Sequence, residues 1–462
     1  MKLEPSIFKK YDIRGTAMGP EARLTTRVAE GVGLGFARYL KAAGAPKRVV
    51  VGYDNRHTSP DLATALAGAL RANGYAVVWL GRVPTPVVYW YAVQSGGLGA
   101  VMVTGSHLPP DQNGFKLSIG KDSLYGAAIM RVRELAEEGP LSADQPGDLL
   151  DLTESIQANY SADLRPRVGL ARPVRVVLDA GNGMGGVFAP GILQTWGAAV
   201  VECLYCEPNP DFPNHPADPQ NAANLADLAE AVRAHGADIG FAFDGDADRV
   251  GAVDHLGNSI SADRLLALLA REMLARHPGA RVVADVLSSE VLFSAVRAAG
   301  GEAIMCASGH SIVKAEMART GALLGGEMSG HIFIADDYLG FDDGLLVAGR
   351  LLQLLTAQDA TLADLNAQLP TLYSTPEYRP ACPDDQKASV IAAAAAHFAG
   401  DYPVNTVDGV RVTFENGWGL LRASHTEPVL SMRFEGATEA DALAYRAQFF
   451  DIVRAYIPLD DA

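Results

Sequence analysis

The chain has 462 residues, 48% hydrophobic and 20% charged, too many for a single core, so two to four domains are expected. Its formal net charge of −16 argues against nonspecific nucleic-acid binding, which demands a broad basic surface, so any anionic ligand must meet a local cluster of Lys and Arg. No basic segment leads into an apolar stretch near the N-terminus and no apolar run reaches the roughly 18 residues of a membrane span, so a cytoplasmic protein without membrane partners is expected.

In chain order, short apolar runs alternate with helix-length segments, which reads as an α/β architecture, and the alternation occurs three times. The first copy contains "RVVVGYDNR" (Arg48 to Arg56), "YAVVWLG" and "GAVMVTGSHLPPD"; the second "VRVVLDAGNG", "AAVVECL" and "DIGFAFDGDADR"; the third "ARVVADVLSS", "EAIMCASG" and "ALLGGEMSGH". Three polar, Gly-containing loops thus take matching places at strand ends, where open sheets put their ligand sites. Breaks at "ADQPGDLLDL", "VDHLGNSIS" and "LPTLYSTPEYRP" divide the chain into 1–150, 151–255, 256–368 and 369–462. In the last piece an Ala-rich helix is expected from about Ser389 to Phe398, followed by "GVRVTFENGWGLLRASHTEPVLSMRFEG", which alternates like antiparallel strands. Three related mixed α/β domains and a smaller α+β domain are the expected fold.

Ser106 ends a β-branched strand, and the prolines after Leu108 forbid a helix. The G-x-S-x-G elbow of a hydrolase is missing, which leaves two readings: a phosphoryl carrier, or a turn residue bonding its own backbone. In the second repeat, "DGDADR" sets Asp244, Asp246 and Asp248 at alternating positions. Such crowding needs a cation unless the loop is a solvated acidic turn. Calcium by an EF-hand is excluded, because Arg249 stands where that loop needs Gly and His255 where it needs Glu. Magnesium completed by phosphate oxygens suits a tri-aspartate loop, and Arg249 and Lys116 are candidates to spread the charge of a transferring phosphoryl group.

Two other patterns point elsewhere. "GNGMGG" (Gly181 to Gly186) satisfies G-x-G-x-x-G, and Glu202 falls about 20 residues on as in a dinucleotide fingerprint. Asp179 and Ala180 separate its glycines from the strand, however, and a tight turn opening a helix explains them. Four cysteines cannot make a disulfide framework, and Cys203 and Cys206, although spaced C-x-x-C, have no second Cys or His pair in register, which argues against zinc or redox chemistry.

"KKYDIRG", "TGSHLPPDQNGFK", "DGDADR", "GEMSGH", "GFDDG" and "RASHTEPVLSMRFEG" come in one order over essentially the whole chain. In this the chain resembles the α-D-phosphohexomutase superfamily, its bacterial phosphomannomutase/phosphoglucomutase branch most closely. The resemblance implies three related α/β domains and a fourth, TBP-like domain around a central cleft, in a monomer acting on small hexose phosphates. It implies that Ser106 is phosphorylated and passes its phosphoryl group to a hexose phosphate. A hexose 1,6-bisphosphate, also the activator, then reorients and returns its other phosphate. Ser106, Lys116, His331, Arg249 and His107 are its implied catalytic residues, and Ser106, Asp244, Asp246 and Asp248 its implied Mg2+ ligands. Glu327 and Ser329 are implied to bind the sugar hydroxyls, Arg422, Ser424, His425 and Thr426 the remaining phosphate. Tyr11 and Arg14 are implied to contribute to the cleft, although Arg14 closing a structural ion pair is the other reading. Leu108, His425 and Leu287 depart from the Asn, Asn and Lys of many relatives; a protonated His425 would still donate to phosphate. Met328, where phosphoglucosamine mutases usually carry Gln, favours dual use of glucose and mannose phosphates. The phosphoglucosamine branch, a noncatalytic sugar-phosphate-binding protein and a magnesium phosphatase are the rival readings.

Overall fold

The computed structural model describes residues 2–141, 143, 145–424 and 428–459. Its first three sheets share one topology: a first strand lies between the second and third, parallel to both, and a fourth runs antiparallel beside the third. In the first sheet these are Arg48–Tyr53, Ala76–Arg82, Gly99–Val103 and Gln112–Ile119. In the second they are Val174–Asp179, Ala198–Leu204, Ile239–Phe243 and Val250–Asp254. Arg281–Asp285, Glu302–Cys306, Leu324–Gly326 and Ile332–Ile334 form the third. Each polar loop singled out in the repeats is therefore the reversal from third strand to fourth, at the carboxyl end of a parallel strand. The Val-rich first strands are buried almost throughout, as strands covered on both faces must be.

Ile13–Thr16 and Leu149–Asp151 extend the first sheet. Ser259–Ile260 extends the second by pairing back onto Val250–Asp254, so the break expected near residue 256 falls inside a hairpin. The helix expected from about Ser389 begins at Asp384, after Pro383, with Asp384 and Asp385 in the first turn where the helix dipole favours anions.

One apolar core joins all three units, including Tyr89, Phe188, Leu266, Leu345 and Leu351. Running through it is helix Gly344–Gln358, whose amino end is fixed by Asp343: the carboxylate accepts from Leu345 N and Leu346 N at 3.1 and 3.0 Å and from the hydroxyls of Tyr160 and Tyr338. Sheet order and shared core together hold the three loops in fixed relation. The fourth unit, an antiparallel sheet with helices Asp384–Phe398 and Glu439–Arg454, has its own core around Phe398, Phe434 and Phe449. It docks on the third through Val286, Trp418 and Leu420, against which Leu287 packs, and through Arg411, which donates to the carbonyls of Val286 and Ser288 at 2.6 and 2.8 Å.

Cys203 and Cys206, expected to have no redox chemistry, are joined as a disulfide with Cα atoms 5.8 Å apart. Between them Tyr205 takes a left-handed φ of 50°, turning the chain at the end of Ala198–Leu204 where the spacing alone left it undetermined. Cys306 and Cys382 are free and buried. Among the described residues no helix is long and apolar enough to cross a membrane.

Candidate active site

Ser106 sits on the first loop in a left-handed conformation, φ 50°, which costs an L-residue roughly 1–2 kcal/mol. Its neighbours hold it there. Asp54, just past the first strand, accepts from Gly105 N at 3.0 Å and Thr104 Oγ1 at 2.8 Å, and Thr104 Oγ1 in turn accepts from Ser106 N at 2.8 Å. Arg56, fully buried and paired with Asp54, donates to the carbonyls of Ser106, Leu108, Pro109 and Gln112 at 2.8, 2.6, 2.5 and 2.9 Å. Leu108 contributes to that grip through its backbone carbonyl.

The second loop meets the first directly. The Ser106 hydroxyl donates to Asp244 Oδ2 at 2.7 Å, and a Cβ on Gly245 would overlap the Ser106 carbonyl, so only glycine lets the loops touch. Lys116 reaches from the fourth strand of the first sheet to bond both Asp246, at 2.8 Å, and Asp248. Thr85 donates its hydroxyl to Asp246 Oδ2 at 2.5 Å. Arg249 lies 3.4 Å from Asp244, donates to Ser106 Oγ at 3.2 Å and also donates to His107 Nδ1. Burial, and then the charge of Arg249, hold the His107 imidazole far below its ordinary range, so it is neutral and accepts. Ser106, His107, Lys116, Arg249 and the three aspartates are thus one cluster.

The charges in the cluster decide its chemistry. Burial works against the Lys116 ammonium, yet Asp246 and Asp248 outweigh it and hold the group well above its usual range. Asp244 is pushed well up by burial and by those same two carboxylates. For Asp246 burial is opposed, and overcome, by Lys116, so its carboxyl stays low. Three buried carboxylates face two cations, and among the described residues Asp246 Oδ1 and Asp248 Oδ1 have no hydrogen-bond partner. Ligand oxygens of Asp244, Asp246 and Asp248 lie within 4.8 Å of one another. A hard divalent cation fits this donor set.

The third loop closes over the second. Val250 N donates to Gly330 O at 3.3 Å, and the His331 ring meets Asp342 Oδ2 at 3.0 Å and Asp248 Oδ1 at 3.6 Å through Nδ1. Asp342, from "GFDDG", also pairs with Lys314 at 3.2 Å, and His310 stacks on His331 with ring centroids 5.4 Å apart. Glu327 is buried beside His331 and accepts from Gly309 N at 2.6 Å; Met328 N donates to Asp285 at 3.2 Å, while Ser329 lines a cavity with Met328 and Leu287. Leu287 thus gives that cavity an apolar wall.

Tyr11 spans from the first unit to the third, its hydroxyl donating to Ser308 O at 2.6 Å. Arg14 does close the ion pair that was one reading of it, with Asp12 at 2.5 Å, yet it also lines a cavity of about 860 Å³ with His107, Leu108 and Arg379. In the fourth unit Arg422 donates twice to Asp408 Oδ2, at 3.1 and 2.8 Å, and the same oxygen accepts from Ser308 N at 3.2 Å. Lys387 donates to the Ser424 carbonyl at 3.0 Å. His425 and Thr426 lie outside the described residues. The sequence assigned no role to Asp54, Arg56, Thr85, His310, Lys314, Asp342 and Asp408, although Asp54, Arg56 and Asp342 lie in stretches it singled out. One signal for the first was visible: each first strand ends at or beside an aspartate, Asp54, Asp179 and Asp285, all three buried.

"GNGMGG" forms the turn before helix Gly185–Thr195, and protein fills the space around it: a Cβ at Gly183 would lie 2.7 Å from Gly245, one at Gly185 2.9 Å from Phe243. That close packing supports the tight-turn reading over a dinucleotide cradle.

Four successive parts of the chain match the models of phosphoglucomutase/phosphomannomutase: alpha/beta/alpha domains I, II and III at residues 5–130, 154–257 and 261–373, and the C-terminal domain at 377–452. The chain is 41% identical over 453 residues to a phosphoglucomutase of Neisseria meningitidis, with 97% of each covered. To a phosphomannomutase/phosphoglucomutase of Pseudomonas aeruginosa it is 40% identical over 98% of this chain and 96% of that one. A crystal structure of a phosphoglucomutase/phosphomannomutase family protein from Burkholderia thailandensis superposes with a TM-score of 0.90 at 39% identity, covering 98% of both chains. The three reversal loops, the serine at the aspartates and the matches along the full length have one conclusion: the chain belongs to the phosphoglucomutase/phosphomannomutase family.

Proposed function

We propose that this enzyme interconverts the 1- and 6-phosphates of glucose and mannose through a phosphoserine at Ser106 and a hexose 1,6-bisphosphate that reorients in the cleft. One observation carries the reading: a buried serine hydroxyl lies 2.7 Å from a tri-aspartate cluster and within reach of Arg249. Asp244, Asp246 and Asp248 would hold Mg2+, which when bound offsets the charge that builds on the transferring phosphoryl group. Arg249 and Lys116 spread that charge from fixed positions. His331, with Nδ1 turned to Asp342, keeps Nε2 for the proton of the attacking sugar hydroxyl. The left-handed Ser106, gripped by Asp54 and Arg56, keeps the phosphoryl group in line with either end of the sugar. Glu327 and Ser329 take the sugar hydroxyls. Arg422, Ser424, His425 and Thr426 take the distal phosphate, with Arg422 leaving or sharing Asp408 to do so, and Tyr11 and Arg14 border the path.

Rates with glucose 1-phosphate, mannose 1-phosphate and glucosamine 1-phosphate, with magnesium and a trace of hexose 1,6-bisphosphate, test this for wild type and Ser106→Ala. Isomerisation of the glucose and mannose substrates by wild type alone is the expected result. Glucosamine phosphate as the best substrate would place the enzyme in the sister branch, and phosphate release without isomerisation would make it a phosphatase.

Burial raises the Glu327 carboxyl to about 7, against the lowering effect of His331. It is therefore largely protonated at pH 6 and charged at pH 8, and the carboxylate accepts more strongly from sugar hydroxyls than the neutral acid does. KM for hexose phosphate is expected to fall as pH rises from 6 to 8, with less of that slope in Glu327→Gln. The titration of the substrate phosphate is common to both enzymes, so equal slopes would assign the effect to it.

A further inference from the structure

The disulfide between Cys203 and Cys206 lies outside the site, yet its turn packs on the segment that supports both the serine and the aspartate loops. Tyr205 O, between the two cysteines, accepts from Asn182 N at 2.8 Å, and Glu207 O accepts from Asn182 Nδ2 at 3.0 Å. A methyl group at Gly186 would overlap the Cys206 carbonyl, so "GNGMGG" rests directly against this turn. Its other side reaches the site. Met184 N donates to the carbonyl of Gly245, between Asp244 and Asp246, at 2.9 Å, and Asn182 O accepts from Asn55 Nδ2 at 2.9 Å, one residue before Arg56. The "GNGMGG" turn thus bonds the disulfide turn on one side and the aspartate loop on the other. Both cysteines are half-buried at the edge of the shared apolar core, whereas Cys306 and Cys382 are buried.

We propose that Cys203 and Cys206 form a reversible dithiol/disulfide switch, opened by a dithiol reductant, whose oxidised form braces the "GNGMGG" turn and through it the two catalytic loops. A thiolate of the reductant attacks one sulfur, breaking the S–S bond and forming a mixed disulfide; its second thiolate then releases the enzyme thiol. Two electrons and two protons pass from the dithiol to the cysteine pair, and the reductant leaves as its own disulfide. Reduction frees the 203–206 turn, and the contacts from Tyr205 and Glu207 to Asn182 loosen with it. A C-x-x-C pair is suited to this exchange because the spacing favours a thiolate at one position, and a disulfide in a reducing compartment is usually a sensor or a catalyst.

The inference rests on the phosphoryl-transfer reading only for its activity readout. The full-length protein is titrated with dithiothreitol, and three quantities are followed: alkylatable thiols by mass, amide exchange at 181–186 and 244–248, and kcat. Expected are two additional alkylated thiols at Cys203 and Cys206, faster exchange at both segments, and a kcat lower by on the order of 10-fold, as small displacements of reacting groups produce. Reoxidation restores all three. Cys203→Ser/Cys206→Ser is expected to match the reduced enzyme and to ignore dithiothreitol. A pair that stays oxidised while the protein is folded, or that opens without a change in amide exchange, overturns the proposal. Faster exchange in a protein that has no mutase activity in either state would keep the switch and overturn the functional reading instead.

Discussion

Asp246→Asn is expected to lower kcat by about 10³-fold at saturating magnesium, in the range seen when one fixed electrostatic contact to a transition state is removed. The two oxygens of Asp246 do different things. Oδ2 takes the Lys116 ammonium at 2.8 Å and the Thr85 hydroxyl at 2.5 Å, while Oδ1 is buried with no hydrogen-bond partner among the described residues. Asparagine keeps the shape but loses the charge, so the cluster loses a ligand and Lys116 loses one of its two counter-charges. The loss of stability is expected to be smaller than for a broken isolated pair, because Lys116 retains Asp248 and one like charge is removed from beside Asp244. Steady-state kinetics and urea unfolding on the same preparation separate the two effects. A kcat within tenfold of wild type would remove Asp246 from the catalytic machinery.

Much of the site was legible because its main groups sit next to one another in sequence or recur at one place in a repeat. Asp244, Asp246 and Asp248 occupy a single loop, and the third-to-fourth reversal brings Ser106 and Glu327 to equivalent positions in the other two sheets. Groups that act on backbone were not legible. Arg56 bonds four carbonyls, and carbonyls leave no residue identity to read at the receiving end. Asp342 meets His331 through a chain reversal whose geometry no spacing rule fixes. The Cys203 and Cys206 pairing depended on the left-handed Tyr205, a conformation that tyrosine seldom takes and that sequence does not announce. The break expected near residue 256 lies at a Gly-Asn turn, which marks a hairpin as readily as a domain boundary.

Arg56→Ala is expected to destabilise the enzyme by about 3–5 kcal/mol, the cost of leaving one partner of a buried ion pair uncompensated. Asp54 would then keep its bonds from Gly105 and Thr104 but lose its counter-charge 3.2 Å away, and four carbonyls of the serine loop would lose their donors at once. Because alanine removes packing as well as charge, the informative variant is Arg56→Lys. Lysine restores a positive charge for Asp54, but its ammonium has three donors on one atom and cannot span carbonyls that the planar guanidinium reaches from two separate nitrogens. Arg56→Lys is therefore expected to recover most of the stability while kcat stays about 10-fold or more below wild type, with KM for hexose phosphate little changed. That split follows from where Arg56 acts, on Asp54 and on the backbone that holds Ser106 at φ 50°. A relaxed loop would carry Ser106 Oγ away from Asp244 and Arg249 while leaving in place the other loops, to which the proposed reading gives the sugar and the distal phosphate. Unfolding midpoints in urea and single-turnover phosphoryl transfer from phosphorylated enzyme to glucose 6-phosphate measure the two halves separately. Wild-type transfer rates in Arg56→Lys would show that Asp54 and Thr104 alone are enough to hold the serine in place.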